Sequence, residues 1–443
     1  MHGFPAVIAV LALLAAPLGV AGIAGAAETD GRDLTPVLIG PEPTDRFGGG
    51  AALAVKAGDA VFGVRYGTHE RPNNLVIFAE YRRFLGAAEI VDAQGNVVRT
   101  HGIPVFTLLG QSLDALIEFQ DSDADGLLNF LVLDEGTLVR NDLPAKALLL
   151  NVSWTLSPPT METAGGTTFV NFTLSATDLP YTVVWDPLPR RATPEDGFLA
   201  RLAFTFRLEV RVVDRSGEIP WYRVRVDDGN ERIITHVEYL GMRAVAGKAV
   251  LMGAKYDHDI QGWDFASAEN RLALETHMIF GNFFPTQVAR YVHHAFFHDY
   301  ARDETRNYTH DETSTTPERP RLYTRDRVYF DDNWTRVGRF EWTSNVTVDG
   351  VPGTMTFQVQ GGDRFVMERH GVVFVGFRVR GAFVYPNGQA ILHDPAMAAE
   401  SVLPEIPTGF TLTPLTVLSI QLGVVALALG PALFLRAKAR RRT

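Results

Sequence analysis

The residues whose types and spacing best suit chemistry lie in Asp121-Ser122-Asp123-Ala124-Asp125-Gly126-Leu127-Leu128-Asn129. Carboxylates at alternate positions (Asp121, Asp123 and Asp125) precede a glycine able to take the chain reversal. The backbone carbonyl of Leu127 and the side-chain oxygen of Asn129 add two further donors. A hard dication takes about six to eight oxygens, so the spacing predicts a structural calcium loop. The position where such a loop carries a bidentate glutamate is Val132, which leaves Asp134 or Glu135 to serve from the next strand. The competing reading is an acidic turn whose aspartates cap backbone N–H groups.

A second constellation is His293, His294 and His298, with Asp299 beside them and His310 beyond. On a helix over 286–300, His294 and His298 share a face at the spacing of a zinc pair. Zinc hydrolases with that spacing need glutamate directly after the first histidine as general base, and Ala295 stands there. The cluster therefore reads as ordinary histidines in an aromatic-rich segment, with a metal-dependent hydrolase as the alternative. Phe280-Gly281-Asn282-Phe283-Phe284-Pro285 has two readings as well, a membrane- or partner-touching loop and a stretch packed on a sheet. No Walker loop, nucleophile elbow or dinucleotide fingerprint is present, and the absence of cysteine excludes thiol catalysis.

The elements that must position these residues are strands. Leu202, Phe204, Phe206, Leu208, Val210 and Val212 alternate with polar residues, as half-buried strands do. The same period recurs over Leu272–Phe280 and Val373–Val379. Asp227-Asp228-Gly229-Asn230, Ala93–Asn96 and Pro386-Asn387-Gly388 supply turn chemistry between runs. This predicts an all-β fold of antiparallel sandwiches. Its proline-rich, charged break at 186–197 suggests two sandwich domains, 27–190 and 191–394. A faint echo of Ala57–Tyr66 in Ala246–Tyr256 raises duplication as a question.

The ends set the expected location. Residues 1–26 read as a signal peptide, apolar from Phe4 to Ala24 and closing on small residues, although the n-region lacks Lys or Arg. Residues 395–414, proline-containing and without alternation, are expected to form a stalk, and 415–435 is a charge-free stretch long enough to cross a bilayer as a helix. The tail 436–443 carries Arg436, Lys438, Arg440, Arg441 and Arg442, which keeps it cytoplasmic and places the ectodomain outside the plasma membrane. Without those five cations the chain holds 36 basic against 51 acidic residues, which disfavours nucleic acid as a partner.

Five N-x-[ST] sequons at Asn151, Asn171, Asn307, Asn333 and Asn345 all fall in the external region. An exported, cysteine-free, acidic and sequon-rich chain with one C-terminal span resembles archaeal single-pass surface glycoproteins. The Asp121 loop is similar to the first three-quarters of an EF-hand-type loop, with strands in place of its helices. The favoured reading is a non-enzymatic binding, adhesion or envelope protein with a protein or glycan partner outside the cell. A surface hydrolase built on the histidines and a membrane-active protein using Phe283-Phe284 are the alternatives.

Overall fold

The computed structural model describes residues 33–44, 49–122, 125–128, 131–134, 137–140, 145–181, 184–185, 188–189, 197–227, 230–285, 327–331, 336–369 and 372–404. The chain is all-β. It opens with β1 (Val37–Pro43), β2 (Ala51–Ala57), β3 (Ala60–Tyr66), β4 (Leu75–Val91) and β5 (Val97–Gln120), each antiparallel to the one before. Short strands follow: β6 (Leu131–Asp134), β7 (Thr137–Arg140), β8 (Lys146–Leu148), β9 (Thr155–Leu156) and β10 (Thr160–Ala164). Next come β11 (Thr167–Pro180), β12 (Val184–Trp185), β13 (Leu188–Pro189), the very long β14 (Phe198–Asp227) and β15 (Asn230–Gln261), and β16 (Asn270–Pro285). The last group is β17 (Arg327–Asp331), β18 (Arg336–Glu341), β19 (Asn345–Val348), β20 (Val351–Thr354), β21 (Thr356–Arg369), β22 (Val372–Tyr385), β23 (Ala390–His393) and β24 (Ala396–Pro404).

Pairing arranges these strands in two layers. One runs β1-β2-β3-β4-β5-β16-β22-β21 and is antiparallel throughout. The other runs β10-β11-β14-β15-β24-β18-β17, with β23 taking over beside β15 where β24 leaves it and carrying β19 and β20. Trp221–Arg225 of β14 lie parallel to Ala87–Val91 of β4 and link the layers into one 20-stranded sheet.

The core lies between the layers. Leu202, Phe204, Phe206, Leu208 and Val210 of β14 are buried, as are Met252, Ala254 and Tyr256 of β15. They meet Leu272, Leu274 and Met278 of β16, Phe383 and Tyr385 of β22, and Leu109 and Leu113 of β5 in one apolar cluster. Each large side chain so buried contributes about 1.5–3 kcal/mol, and Thr205, Arg207 and Arg211 take the outer face. A smaller cluster of Ile117, Phe119, Leu128, Ala273 and Val384 covers the far side of the first layer.

Two of the expected turns close hairpins. Asp227 pairs with Asn230, and the β4–β5 turn closes with Asp92 accepting from the Asn96 and Gly95 N–H groups while Gly95 takes φ +87°. Pro386–Gly388 instead carries the chain from β22 in one layer to β23 in the other. The break at 186–197 does not separate two cores: β11 pairs with β14 across it, and β5 pairs with β16. The expected stalk over 395–414 is corrected over its first part, because Ala396–Pro404 form β24 and pair with β15 and β18 inside the sheet. The sequence echo is not a structural repeat. Ala57–Tyr66 turns at Gly58-Asp59 between β2 and β3, whereas Ala246–Tyr256 runs inside β15. Among the described residues no helix is long and apolar enough to cross a membrane; the stretches 1–26 and 415–435 lie outside those residues.

Candidate functional site

The densest polar chemistry in the described core sits where β15 exchanges one partner for another. β24 pairs with Gly247–Lys255, β23 pairs with His258–Gln261, and His258 stands opposite His393. Side chains alternate across a strand, so both histidines enter the core while their neighbours Asp257 and Asp394 face outward. Two Asp/His dipeptides from distant parts of the chain thus form one junction.

Inside, His258 Nδ1 lies 2.8 Å from Tyr385 Oη, which lies 3.2 Å from His393 Nδ1. His393 Nε2 is 2.9 Å from the Thr343 carbonyl. Protons are assigned here from what each partner can accept. The Thr343 carbonyl accepts only, so His393 carries its proton on Nε2 and its Nδ1 accepts from Tyr385. Tyr385 has one proton to give, so its oxygen accepts from His258 Nδ1–H. That leaves His258 Nε2 as a bare lone pair, buried and without a hydrogen-bond partner. The ring is 0% exposed and is enclosed by Phe204 at 5.1 Å and Phe383 at 5.4 Å, both edge-on.

Burial, reinforced by His393, holds His258 well below the ordinary imidazole range, while burial against the Thr343 contact brings His393 to about 4. Burial also raises Tyr385 well above the ordinary phenol range, with the neighbouring Tyr256 adding to it. Both imidazoles are therefore neutral at neutral pH. Alongside them Tyr256 donates to Gln111 Oε1, Gln111 Nε2 donates to Thr276 Oγ1 at 3.1 Å, and Thr276 donates to the Ser112 carbonyl at 2.8 Å.

Outside, Lys255 Nζ is ion-paired to Asp394. Burial, then a hydrogen bond with the Asp394 carboxylate, raises Asp257 above the usual carboxylate range. Asp257 therefore keeps its proton to higher pH than an ordinary carboxylate.

A second arrangement arises from a bulge. Glu275 pairs with Ala115 and Thr276 with Leu113, so Asp114 has no opposite number and is re-aimed. Its carboxylate holds His277 Nδ1 and accepts from Asn74 Nδ2 at 2.9 Å, and Asn74 in turn accepts from the buried Arg65 at 3.0 Å. Burial alone would raise Asp114, but His277, Ser112 and Asn74 together bring it below its ordinary value. Arg65 is brought down to about 9 by burial, against the opposing charge of Asp114. A carboxylate orienting an imidazole is the geometry of an acid–base pair. Here, however, His277 Nε2 accepts from Arg380 Nε at 3.2 Å, and the Ser112 side chain bonds Asp114 instead of the imidazole. No nucleophile–base link is formed.

A third buried arrangement centres on Glu118, 0% exposed. It accepts from the Ala266 N–H at 2.8 Å, Asn270 Nδ2 at 2.6 Å and Trp263 Nε1 at 3.1 Å, and so fixes the loop from β15 to β16. Gln389 Nε2 also donates to the Trp263 carbonyl at 3.1 Å, tying this loop to the segment before β23.

The residues singled out by sequence are placed as follows. Gly126 takes φ +73°, the reversal expected of it. Asp121 accepts from the Gly126 N–H at 3.2 Å and is ion-paired to Arg271, and Asp125 accepts from the Leu127 N–H at 2.8 Å. These are the contacts of a capped turn, with a guanidinium where a cation would approach Asp121. Asp123 and Asn129 lie outside the described residues, as do His293, His294, His298, Asn307 and Asn333. Asn151 and Asn345 are exposed, while Asn171 is half-buried on β11 between Thr160 and Arg207. Phe280 and Phe283 are buried strand residues, so Phe283 forms no exposed tip. Among the described residues no group of three or more metal-ligating side chains converges.

Sequence reasoning missed Asp257-His258 and His393-Asp394. The available signal was a histidine on the apolar face of an alternating run, next to an aspartate on its polar face. Compared with protein-family models and with characterised proteins, the chain matches none.

Proposed function

We propose that this chain is a membrane-anchored cell-surface protein with a binding, adhesive or envelope-structural role and a protein or glycan partner outside the cell. In this reading 1–26 directs export, 415–435 spans the membrane as a helix and the Arg-rich tail stays inside, as in archaeal single-pass surface glycoproteins. The observation that carries it is that the three acid–base groups described above are sealed in the core or held by protein partners. His258 is sealed in the core, the outer nitrogen of His277 is occupied by Arg380, and Glu118 is held by three N–H donors. Groups arranged in this way hold a scaffold together, and none of these three is placed to act on a substrate. The exposed Asn151 and Asn345 suit glycan attachment.

The test is protease treatment of intact cells followed by mass spectrometry. The mass before Leu415 should be lost with the membrane intact, peptides from Ala437 onward should survive, and Asn151 and Asn345 should carry glycans. An ectodomain protected until the membrane is opened would overturn the orientation. Metal-dependent hydrolysis lost on substituting His294 and His298 would favour the enzyme reading.

A further inference from the structure

We propose that the His258–Tyr385–His393 relay is an acid-responsive clasp, in which proton uptake by the two histidines releases the layer carrying β22 from the layer carrying β15 and β23. The relay crosses from β15 to Tyr385 on β22 and returns to β23, so its two hydrogen bonds join the inner faces of opposing layers. Every proton donor and acceptor in it is used except His258 Nε2, the one position at which an incoming proton finds no acceptor.

The surroundings decide what that proton does. His258 faces Phe204 from β14, Phe383 and Tyr385 from β22, His393 from β23 and Tyr256 along its own strand. None of these is a carboxylate, and the two tyrosines stay protonated. His393 faces Phe383, Tyr385 and the Thr343 carbonyl; Asp394, next to it in the chain and ion-paired to Lys255, favours the protonated ring but by less than burial disfavours it. A proton on His258 thus places a charge in the core with no carboxylate beside it, and a proton on each ring places two cations 5.4 Å apart between ring centroids. A proton on His393 Nδ1 also removes the acceptor that Tyr385 uses.

Opening returns both rings to water and to an ordinary pKa of about 6.5. The closed state prefers them neutral, so its stability is complete above that pH. It falls as the pH drops through the window down to about 4, where His393 takes a proton in place.

The experiment uses the full-length chain in detergent, unfolded in urea at a series of pH values and followed by tryptophan fluorescence. Between pH 7 and pH 5 the unfolding constant should rise about 25-fold per histidine, about 600-fold for the pair, with a limiting slope of two protons. His258→Phe, which matches the surrounding rings, and His393→Gln, which keeps a donor for Thr343, should each reduce the rise to about 25-fold. A wild-type slope of less than one proton in this window overturns the clasp, even if neither variant folds. A His258→Phe chain that folds and keeps the full wild-type pH dependence also overturns it, because the protons would then be taken up elsewhere.

Discussion

Replacing Tyr385 by Phe isolates the polar part of the relay. The ring and its packing remain, so no cavity opens, and only the hydroxyl is lost. Two groups are left behind, His258 Nδ1–H without an acceptor and His393 Nδ1 without a donor. Tautomer exchange rescues neither. Moving the His258 proton to Nε2 leaves it equally unpartnered, and moving the His393 proton to Nδ1 breaks its bond to Thr343. An unsatisfied buried group costs about 1–3 kcal/mol, so Tyr385→Phe should destabilise by about 2–5 kcal/mol at pH 7.5, where both rings are neutral. His258→Phe alone should cost less, because Tyr385 still donates to His393. The double variant removes one of the two orphans, so it should be more stable than the sum of the singles by about 1–2 kcal/mol. Urea unfolding of the four chains measures the cycle. A Tyr385→Phe cost below about 0.5 kcal/mol, or additive singles, would refute the relay as drawn.

Two further outcomes are expected. Glu118→Ala removes the acceptor from three N–H donors and should cost about 2–4 kcal/mol, whereas Glu118→Gln, able to keep the two contacts of Oε1, should lose about half as much; equal costs in urea unfolding would contradict the contact assignment. Arg271→Ala frees Asp121, so 10 mM calcium should stabilise that variant by about 1–3 kcal/mol if the loop binds at about 10⁻⁴–10⁻³ M, and should stabilise the wild type less; equal thermal shifts, or none, would dismiss the competition.

Local pattern made the strands legible, and tertiary pairing hid the rest. The alternation of β14 is clear to Val212 and then fades, because residues 214–218 are exposed on both faces and carry no contrast between sides. The strand nevertheless continues to Asp227, held by pairing with β15 and β4. The break at 186–197 is real in composition, yet β11 and β14 pair across it, and no local pattern encodes which strand adds to which. The candidate site was hidden for the same reason. His258 and Tyr385 are 127 residues apart, and only the register of β15 against β23 brings His393 to them. The Asp121 turn was readable down to its glycine, whereas Arg271 was not, because it arrives from β16.

The order in which β5 and β16 pair has a kinetic consequence. β5 ends at Gln120 and its partner begins at Asn270, so 150 residues must be made before that edge can close. At about 5–20 residues per second this takes roughly 8–30 s, during which the Phe106–Gln120 edge of β5 presents an open ladder. Chains dominated by such distant pairings fold slowly and are prone to join one another while they wait. The yield of native protein should therefore depend on how crowded the nascent chains are and on what shields β5 in the interval, more than on the final stability of the fold.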